Sequence, residues 1–389
     1  MRDTCVQRPL YSPYVEISLD NLLHNLTRIR KTLPREVGVI AVVKDSSYGC
    51  GSLLIAETLE RSGNVAFFAV ARPVEAITLR KFGITLPILV LGMATEEELR
   101  YGADNNIVFA LNDLSDIDRW ESYGASVNFH LNIDTGMSRM GLLPSEIGAL
   151  IDKLNTARGI RIGGVFTHMA NADEPDTQTV ARQLEKFRSG IDALRQGGHP
   201  PAHVHYGNTA AFLRFPLSGC TLARPGIALY GCKPDPAQEF DIDLKPVASL
   251  ISHVVKMKKL PGGTPVSYCG NYVTPADTWI ATIPLGYAHG LPRYLNGKGS
   301  VLINGTRCRI AGNVTMDYIM VDAGATPSIS IGDEVAAIGT QGGESITPDD
   351  IAVIGGTIGY EVLCNLGTTI DRFYTRDGKV VRHEAGVIY

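Results

Sequence analysis

A chain of 389 residues exceeds the ~100–200 of one ordinary domain, so a large unit with a smaller companion is the starting expectation. Its 36 Lys+Arg against 40 Asp+Glu leave a formal net charge of -4, which gives a polyanion no long-range attraction and argues against a nucleic-acid partner. Apolar residues at 44% suit a sizeable core, but no apolar run nears the ~20 residues that cross a bilayer. No apolar leader follows Met1 either, so the expectation is a cytoplasmic protein without membrane contact.

In chain order, a strand-like Tyr14–Ile17 comes first and fits either half of the chain. A helix over Leu19–Leu33 follows, with Leu22, Leu26, Ile29 and Leu33 on one side before Pro34. Short β-rich runs then alternate with helical patterns: Gly38–Lys44, Val65–Ala71, Ile88–Leu91, Ile107–Ala110, Val127–Ile133, Arg161–Thr167, Ala202–His205 and Gly226–Tyr230. The clearest helix is Asp176–Gln196, where Val180, Leu184, Phe187, Ile191 and Leu194 form an apolar stripe. Eight strands with intervening helices is the arithmetic of a (β/α)8 barrel. The competing doubly wound sheet wants fewer strands and a Gly-rich first turn, and the chain has neither GxGxxG nor GxxxxGK[ST].

Past Pro246 the texture changes. Val247–Lys256, Trp279–Ile283, Ser300–Ile303, Thr306–Ile310, Ile319–Asp322 and Glu334–Gly339 are short β candidates between turns, and only Pro348–Ile354 looks helical. The predicted organisation is a barrel over residues 12–245 and a mainly β domain over 246–389, with segment 1–11 a candidate addition to the latter.

Seven cysteines (Cys5, Cys50, Cys220, Cys232, Cys269, Cys308 and Cys364) are odd in number, scattered and without a CxxC pair. Neither a disulfide framework nor a zinc site is expected. His203 and His205 read more simply as same-face residues of a strand than as metal ligands.

Lys44 leaves the uncharged run Ile40–Val43 at the C-terminal end of the first barrel strand, where barrel active sites are built. An amine there can form a Schiff base with a carbonyl group, or simply pack its stem and reach water. Strand alternation puts His130, Asn132 and Asp134 on one face, and the Gly136 turn returns Arg139 over the barrel mouth. Arg139 there holds a carboxylate or clamps Asp134. His168 ends the sixth strand, Asn208–Thr209 follows the seventh, and Arg224–Pro225–Gly226–Ile227 surrounds the eighth. Glycine and free N–H groups near those last strands are the usual phosphate pocket of a barrel.

These residues carry a resemblance. Ala41–Lys44 with Tyr48–Gly49, Asp134–Gly141, Thr167–Asp173, Asn208–Ala211, Arg224–Gly231, Val266–Tyr268, Pro284–Tyr287, Met316–Asp317 and Gly359–Cys364 occur in the order found in alanine racemases, and the chain resembles that family of fold-type III pyridoxal 5'-phosphate (PLP) enzymes. The resemblance implies PLP held covalently on Lys44, with Tyr48, Asn208, Thr209, Gly226, Ile227 and Tyr360 around it, mostly at its phosphate. His168 would lie against the pyridine ring and Arg224 at the ring nitrogen, backed by His205. An arginine cannot readily give that nitrogen a proton, which keeps the cofactor a weaker electron sink and favours racemisation over side reactions.

The resemblance also implies two acid–base groups on opposite faces of the substrate, Lys44 and a Tyr268 supplied by the partner of a homodimer. A tyrosine needs nearby positive charge to act as a base near neutral pH, and Arg139, also a neighbour of the substrate carboxylate, is the candidate. Met316, with Asp317 behind it, and Tyr287 at the entrance would come from the partner too. The implied activity interconverts L- and D-alanine and supplies D-alanine for peptidoglycan.

The chain departs from the family pattern in three places. Asp45, Ser46 and Ser47 replace a usual Ala-Asn-Ala after the lysine. Asn132 stands where many relatives carry a carbamylated lysine, which leaves room for chloride between Asn132 and Arg139, or for Asn132 to bond Arg139 or water. His289 replaces a usual aspartate at the entrance. Other readings of the same features are a serine or broad-specificity racemase, a fold-type III decarboxylase, which Arg224 disfavours, and a non-catalytic PLP carrier, which leaves Tyr268 and Met316 unexplained.

Overall fold

The computed structural model describes residues 8–122, 127–325, 328–367 and 369–386, so Cys5 lies outside the described residues. Strand β1 (Tyr14–Ser18) is followed by eight strands of a parallel sheet: β2 (Gly38–Val42), β3 (Phe67–Val70), β4 (Ile88–Val90), β5 (Ile107–Leu111), β6 (Val127–Asn132), β7 (Ile160–Phe166), β8 (His203–His205) and β9 (Leu222–Ala223). They run in the order β8-β7-β6-β5-β4-β3-β2-β9, and the near-closed barrel is completed where Thr221 N–H donates to Val204 O at 2.9 Å and Arg224 N–H to Gly207 O at 2.7 Å. The expected eighth strand is thus corrected: Ile227–Tyr230 is a 3-10 turn, and the strand lies just before it. All four residues of that turn are buried, and a short apolar run carries no period that tells a buried turn from a buried strand.

The helix Leu19–Thr32 is capped by Ser18, whose Oγ accepts from Asn21 N–H at 3.1 Å, and buries Leu22, Leu26 and Ile29. The helix Gln178–Gln196 buries the expected stripe at Val180, Phe187, Ile191 and Leu194 and also one polar residue, Gln183.

The C-terminal part is mainly β. Its large sheet runs Thr306–Arg309, Ser300–Ile303, Glu334–Gln341, Ala248–His253, β1, Asp371–Arg376 and Lys379–Glu384, so the opening strand belongs to this sheet rather than to the barrel. A three-stranded sheet (Lys256–Leu260, Thr278–Ile283, Ile319–Gly324) and a two-stranded hairpin (Pro265–Val266, Tyr272–Val273) complete it. The Asp371–Glu384 hairpin turns on Asp377-Gly378, with φ of 50° and 69°, the left-handed pair of a type I′ turn. No described helix is long and apolar enough to cross a membrane.

Candidate active site

A cavity of about 510 Å³ opens at the C-terminal end of the barrel. Lys44, Tyr48, Asn132, Arg139, His168, Asn208, Thr209, Arg224, Gly226, Ile227 and Tyr360 all face it, eleven expected site residues brought together from the ends of five barrel strands and the β domain. Its size suits a substituted pyridine with a phosphate arm and a small amino acid.

Lys44 ends β2 and starts a turn of unusual hand. Asp45, Ser46, Ser47 and Tyr48 have φ between 52° and 54°, a left-handed helical turn of four L-residues, each costing roughly 1–2 kcal/mol relative to right-handed backbone. Its surroundings hold it there. Oε1 of the half-buried Glu75 accepts Asp45 N–H at 2.6 Å, while Oε2 accepts from Ala71 at 3.0 Å and Arg72 at 2.8 Å. Gly49 continues the turn at φ 85°, and a Cβ there would come 2.2 Å from Leu363 O, so only glycine fits against the helix Gly359–Cys364. Buried Arg372 donates through Nε to Gly49 O at 3.0 Å. The Lys44 amine emerges beside Asp45, Nζ to Oδ2 3.5 Å.

Beyond β9, the strand paired with β2, Arg224 is buried without a carboxylate partner among the described residues. Nη1 donates to His205 Nδ1 at 2.6 Å and to His205 O at 2.7 Å, and Nη2 to Thr167 O at 2.7 Å. Burial lowers its pKa to about 10, which leaves it charged at neutral pH. His168 is driven down to about 3 by burial first, then by Arg224, Arg139 and Lys44, so it presents a neutral ring to a cavity lined by positive charge. His130 departs from the expected pattern: it bonds His205 (Nδ1 to Nε2, 2.8 Å) in the core instead of facing the mouth.

The third wall offers neutral donors. Gly226 N–H donates to Thr209 Oγ1 at 3.2 Å, Asn208 caps the helix Thr209–Arg214, and a Cβ on Gly226 would come 2.6 Å from the Tyr48 hydroxyl. Burial raises the pKa of Tyr48 and of Tyr360, so both hydroxyls stay protonated. These hydroxyls and the glycine approach fit a phosphate, Arg224 fits the nitrogen of the ring that carries it, and the amine of Lys44 fits its aldehyde.

Two expectations about the Asp134–Gly141 turn are corrected. Asp134 does not clamp Arg139; its Oδ1 accepts from Gly136 N–H at 2.9 Å and Ser138 N–H at 3.0 Å. Asn132 does not bond Arg139 either, because Nδ2 donates to Asn112 Oδ1 at 2.9 Å and Met140 O at 3.0 Å. Three supporting residues were missed from sequence. Asn112 and Glu75 carry no motif, and Gln183 hid inside an apolar stripe although it bonds Thr135 Oγ1, His168 O and Ala170 N–H, each at 3.0 Å. A polar residue breaking a helical stripe was the available signal.

Tyr268, Tyr287 and Met316 do not reach this cavity. Tyr268 sits at the tip of the small hairpin and is 71% exposed, with Tyr287 and Met316 exposed on the same domain. Asp317 lies near His289. Among the described residues no cluster suits a metal ion, and His203 packs edge-on against Phe67. The six described cysteines are free.

Family models for the alanine racemase N-terminal domain and C-terminal domain match residues 17–234 and 247–374. The chain is 37% identical over 378 residues to an alanine racemase of Halothermothrix orenii, covering 95% of this chain and 97% of that protein. It is 38% identical over 388 residues to alanine racemase 2 of Bacillus subtilis, covering 97% and 98%. Among solved structures, an alanine racemase of Clostridium difficile superposes with a TM-score of 0.90 at 34% identity over 98% of this chain and 100% of that one. The Bacillus anthracis alanine racemase with bound L-Ala-P gives 0.88 at 34% over 97% and 99%. With both domain models matched in order and the lysine, arginine and histidine of one cavity in place, this chain belongs to the fold-type III, PLP-dependent alanine racemase family.

Proposed function

We propose that the chain interconverts L- and D-alanine with PLP held on Lys44, using Lys44 and the partner's copy of Tyr268 as the two bases. The convergence of the Lys44 amine, neutral His168 and carboxylate-free Arg224 on one cavity carries this reading. Bound PLP supplies the electron sink that acidifies the amino acid's Cα–H. The chain's own groups do the rest. Thr209, Tyr48, Tyr360, Asn208 and the backbone at Gly226 and Ile227 would hold the phosphate end, His168 the ring face and Arg224 the ring nitrogen.

Within the cavity His168, with its pKa lowered to about 3, is too weak a base, both tyrosines are held protonated and Asp134 is engaged by the Gly136 and Ser138 N–H groups, so Lys44 is the base on its side. Inversion needs a second group on the opposite face. Tyr268, exposed on a hairpin of the β domain, fits that role when a second subunit docks over the barrel mouth, with Tyr287 and Met316 beside it. Arg139 at the mouth would orient the substrate carboxylate and favour ionised Tyr268. The organisation is then a cofactor unit within residues 12–245 and a β unit of 246–389, joined by strand β1, that is lent to the neighbour, in a cytoplasmic homodimer supplying D-alanine for peptidoglycan. We place chloride beside Arg139, the anion that replaces a carbamylated lysine.

Tyr360 at the cavity wall limits side-chain room and favours a methyl group over the larger side chains of a serine or broad-specificity racemase. Incubation with L-Ala, L-Ser and L-Lys separately in D2O should give α-deuteration and chirality loss fastest for alanine. Comparable rates for serine would move the assignment to a broader racemase, and CO2 release without inversion would mean a decarboxylase.

A further inference from the structure

The hairpin tip that carries Tyr268 is strained on both sides of it. Ser267 has φ 68° and ψ -178°, a region that is essentially glycine-only, and Cys269 has φ 64°. A tip of this kind keeps its shape only if something outside it fixes the backbone. Asn313, buried on the neighbouring loop, makes three bonds to this tip, one of them to its backbone. Its Nδ2 donates to Tyr268 O at 2.9 Å, its Oδ1 accepts from Asn271 Nδ2 at 3.1 Å, and its own backbone oxygen accepts from Ser267 Oγ at 3.0 Å. The amide orientation is settled by chemistry, since only an N–H can face the Tyr268 carbonyl.

We propose that Asn313 is the positioning residue for Tyr268, an inference that rests on Tyr268 being the second base. An exposed phenol has no packing in its own subunit to aim it, so its direction is set by its backbone, and Asn313 is the side chain that grips that backbone at Tyr268 itself. The same loop continues through Thr315 to Met316, whose oxygen accepts from Ala288 N–H at 3.1 Å. Asn313 therefore ties the base to the two other exposed residues expected over the neighbouring cavity, Met316 and Tyr287.

The test compares Asn313→Asp, Asn313→Ala and Tyr268→Phe holoenzymes in D2O, measuring for each alanine enantiomer the ratio of α-proton exchange without inversion to racemisation. That ratio does not depend on how much protein is folded. With Tyr268→Phe, Lys44 still exchanges the proton of one enantiomer while inversion stops, so the ratio rises for that enantiomer. Asn313→Asp keeps size and the Asn271 contact but cannot donate to Tyr268 O. It should raise the same ratio for the same enantiomer and lower kcat about tenfold to a hundredfold with KM little changed. Asn313→Ala should do the same, and amide hydrogen exchange in peptide 266–273 should quicken in both variants. If Tyr268→Phe moves the ratio and neither Asn313 variant does, Asn313 is not a positioning residue. If Tyr268→Phe racemises normally, the reading of Tyr268 itself fails.

Discussion

Nη1 of Arg224 donates to Nδ1 of His205 at 2.6 Å, and the direction of that bond fixes the protons behind it. An arginine has no acceptor, so His205 must carry its proton on Nε2 and pass it toward Nδ1 of His130, 2.8 Å away. His130 is then protonated on Nε2, which finds no protein partner. A buried cation is thus followed by two imidazoles held neutral, His130 down to about 3 and His205 well below its ordinary value, both chiefly by burial. Neither imidazole can take a second proton without placing like charge beside Arg224.

This arrangement predicts acid sensitivity. His130 and His168 titrate near 6.5 when unfolded and near 3 when folded, so between those values the unfolded chain binds protons that the native one refuses. Stability is complete above pH ~6.5 and is lost as pH falls toward ~3, by up to about 1.4 kcal/mol per pH unit for each such histidine. Urea unfolding between pH 7.5 and 4.5 should show the decline. His130→Asn, which keeps an acceptor near the Nδ1 position, should flatten the slope by roughly one proton's worth. An unchanged slope would remove His130 from the account.

His289 predicts a separate effect on turnover. Its Nδ1 accepts Gly286 N–H at 3.1 Å and so closes the loop bearing Tyr287. Burial lowers its pKa and nearby Asp317 partly opposes this, so it is neutral at pH 7 and the bond stands. Below its pKa Nδ1 gains a proton, the acceptor disappears and the entrance loop loosens. kcat/KM should therefore fall on the acid side, and His289→Asp, an acceptor down to pH ~4, should shift that limb to lower pH. Identical profiles for the two proteins would place the limb elsewhere.

Much of the site was legible because its chemistry is local in sequence. Lys44, Arg139, His168 and Arg224 each sit at or just past the end of a β-run, and a barrel brings all such ends together. The supporting contacts were not legible, since Asn132 to Asn112 spans twenty residues and Asn313 to Tyr268 spans forty-five, with no spacing rule linking them. The fold was misread at Gly226–Tyr230 because burial hides periodicity. The terminal hairpin was overlooked although Asp377-Gly378 is a strong turn signal, because the flanking strands mix charged and apolar residues without clean alternation.

The cofactor assignment predicts a yellow protein in which borohydride fixes the pyridoxyl group on Lys44. Peptide mass mapping locates it, and label on any other lysine would displace Lys44 from the centre of the site. Glu75→Ala, which frees Asp45 N–H and the strained turn after the lysine, should lower PLP retention on dialysis while the tryptic label stays on Lys44.

The site proposed to be shared between subunits predicts complementation between dead subunits. Lys44→Ala and Tyr268→Phe homodimers should each be nearly inactive. After subunit exchange the heterodimer has one cavity with both intact groups and one with neither, so up to about half of wild-type activity per heterodimer should return. Exchange shown by mass spectrometry with no recovery would mean that both bases act within one chain.

The chloride proposed beside Arg139 gives the last expectation. Both Asn132 amide hydrogens are taken, by Asn112 and by Met140, and Asn132 cannot turn over without setting its oxygen against the Met140 carbonyl. Asn132 therefore supplies shape and no negative charge, and the exposed Arg139 guanidinium makes no ion pair among the described residues, Asp134 being turned to the Gly136 and Ser138 N–H groups. A small anion drawn there would be held by Arg139 without a hydrogen bond from Asn132 and would compete with other anions, more so at high ionic strength. In chloride-free buffer at fixed ionic strength kcat/KM should fall and recover on adding chloride but not a bulky anion, and Arg139→Lys should blunt that response. Equal kcat/KM values with and without chloride would mean that water fills the space and that Arg139 is oriented by the docked partner and the substrate carboxylate.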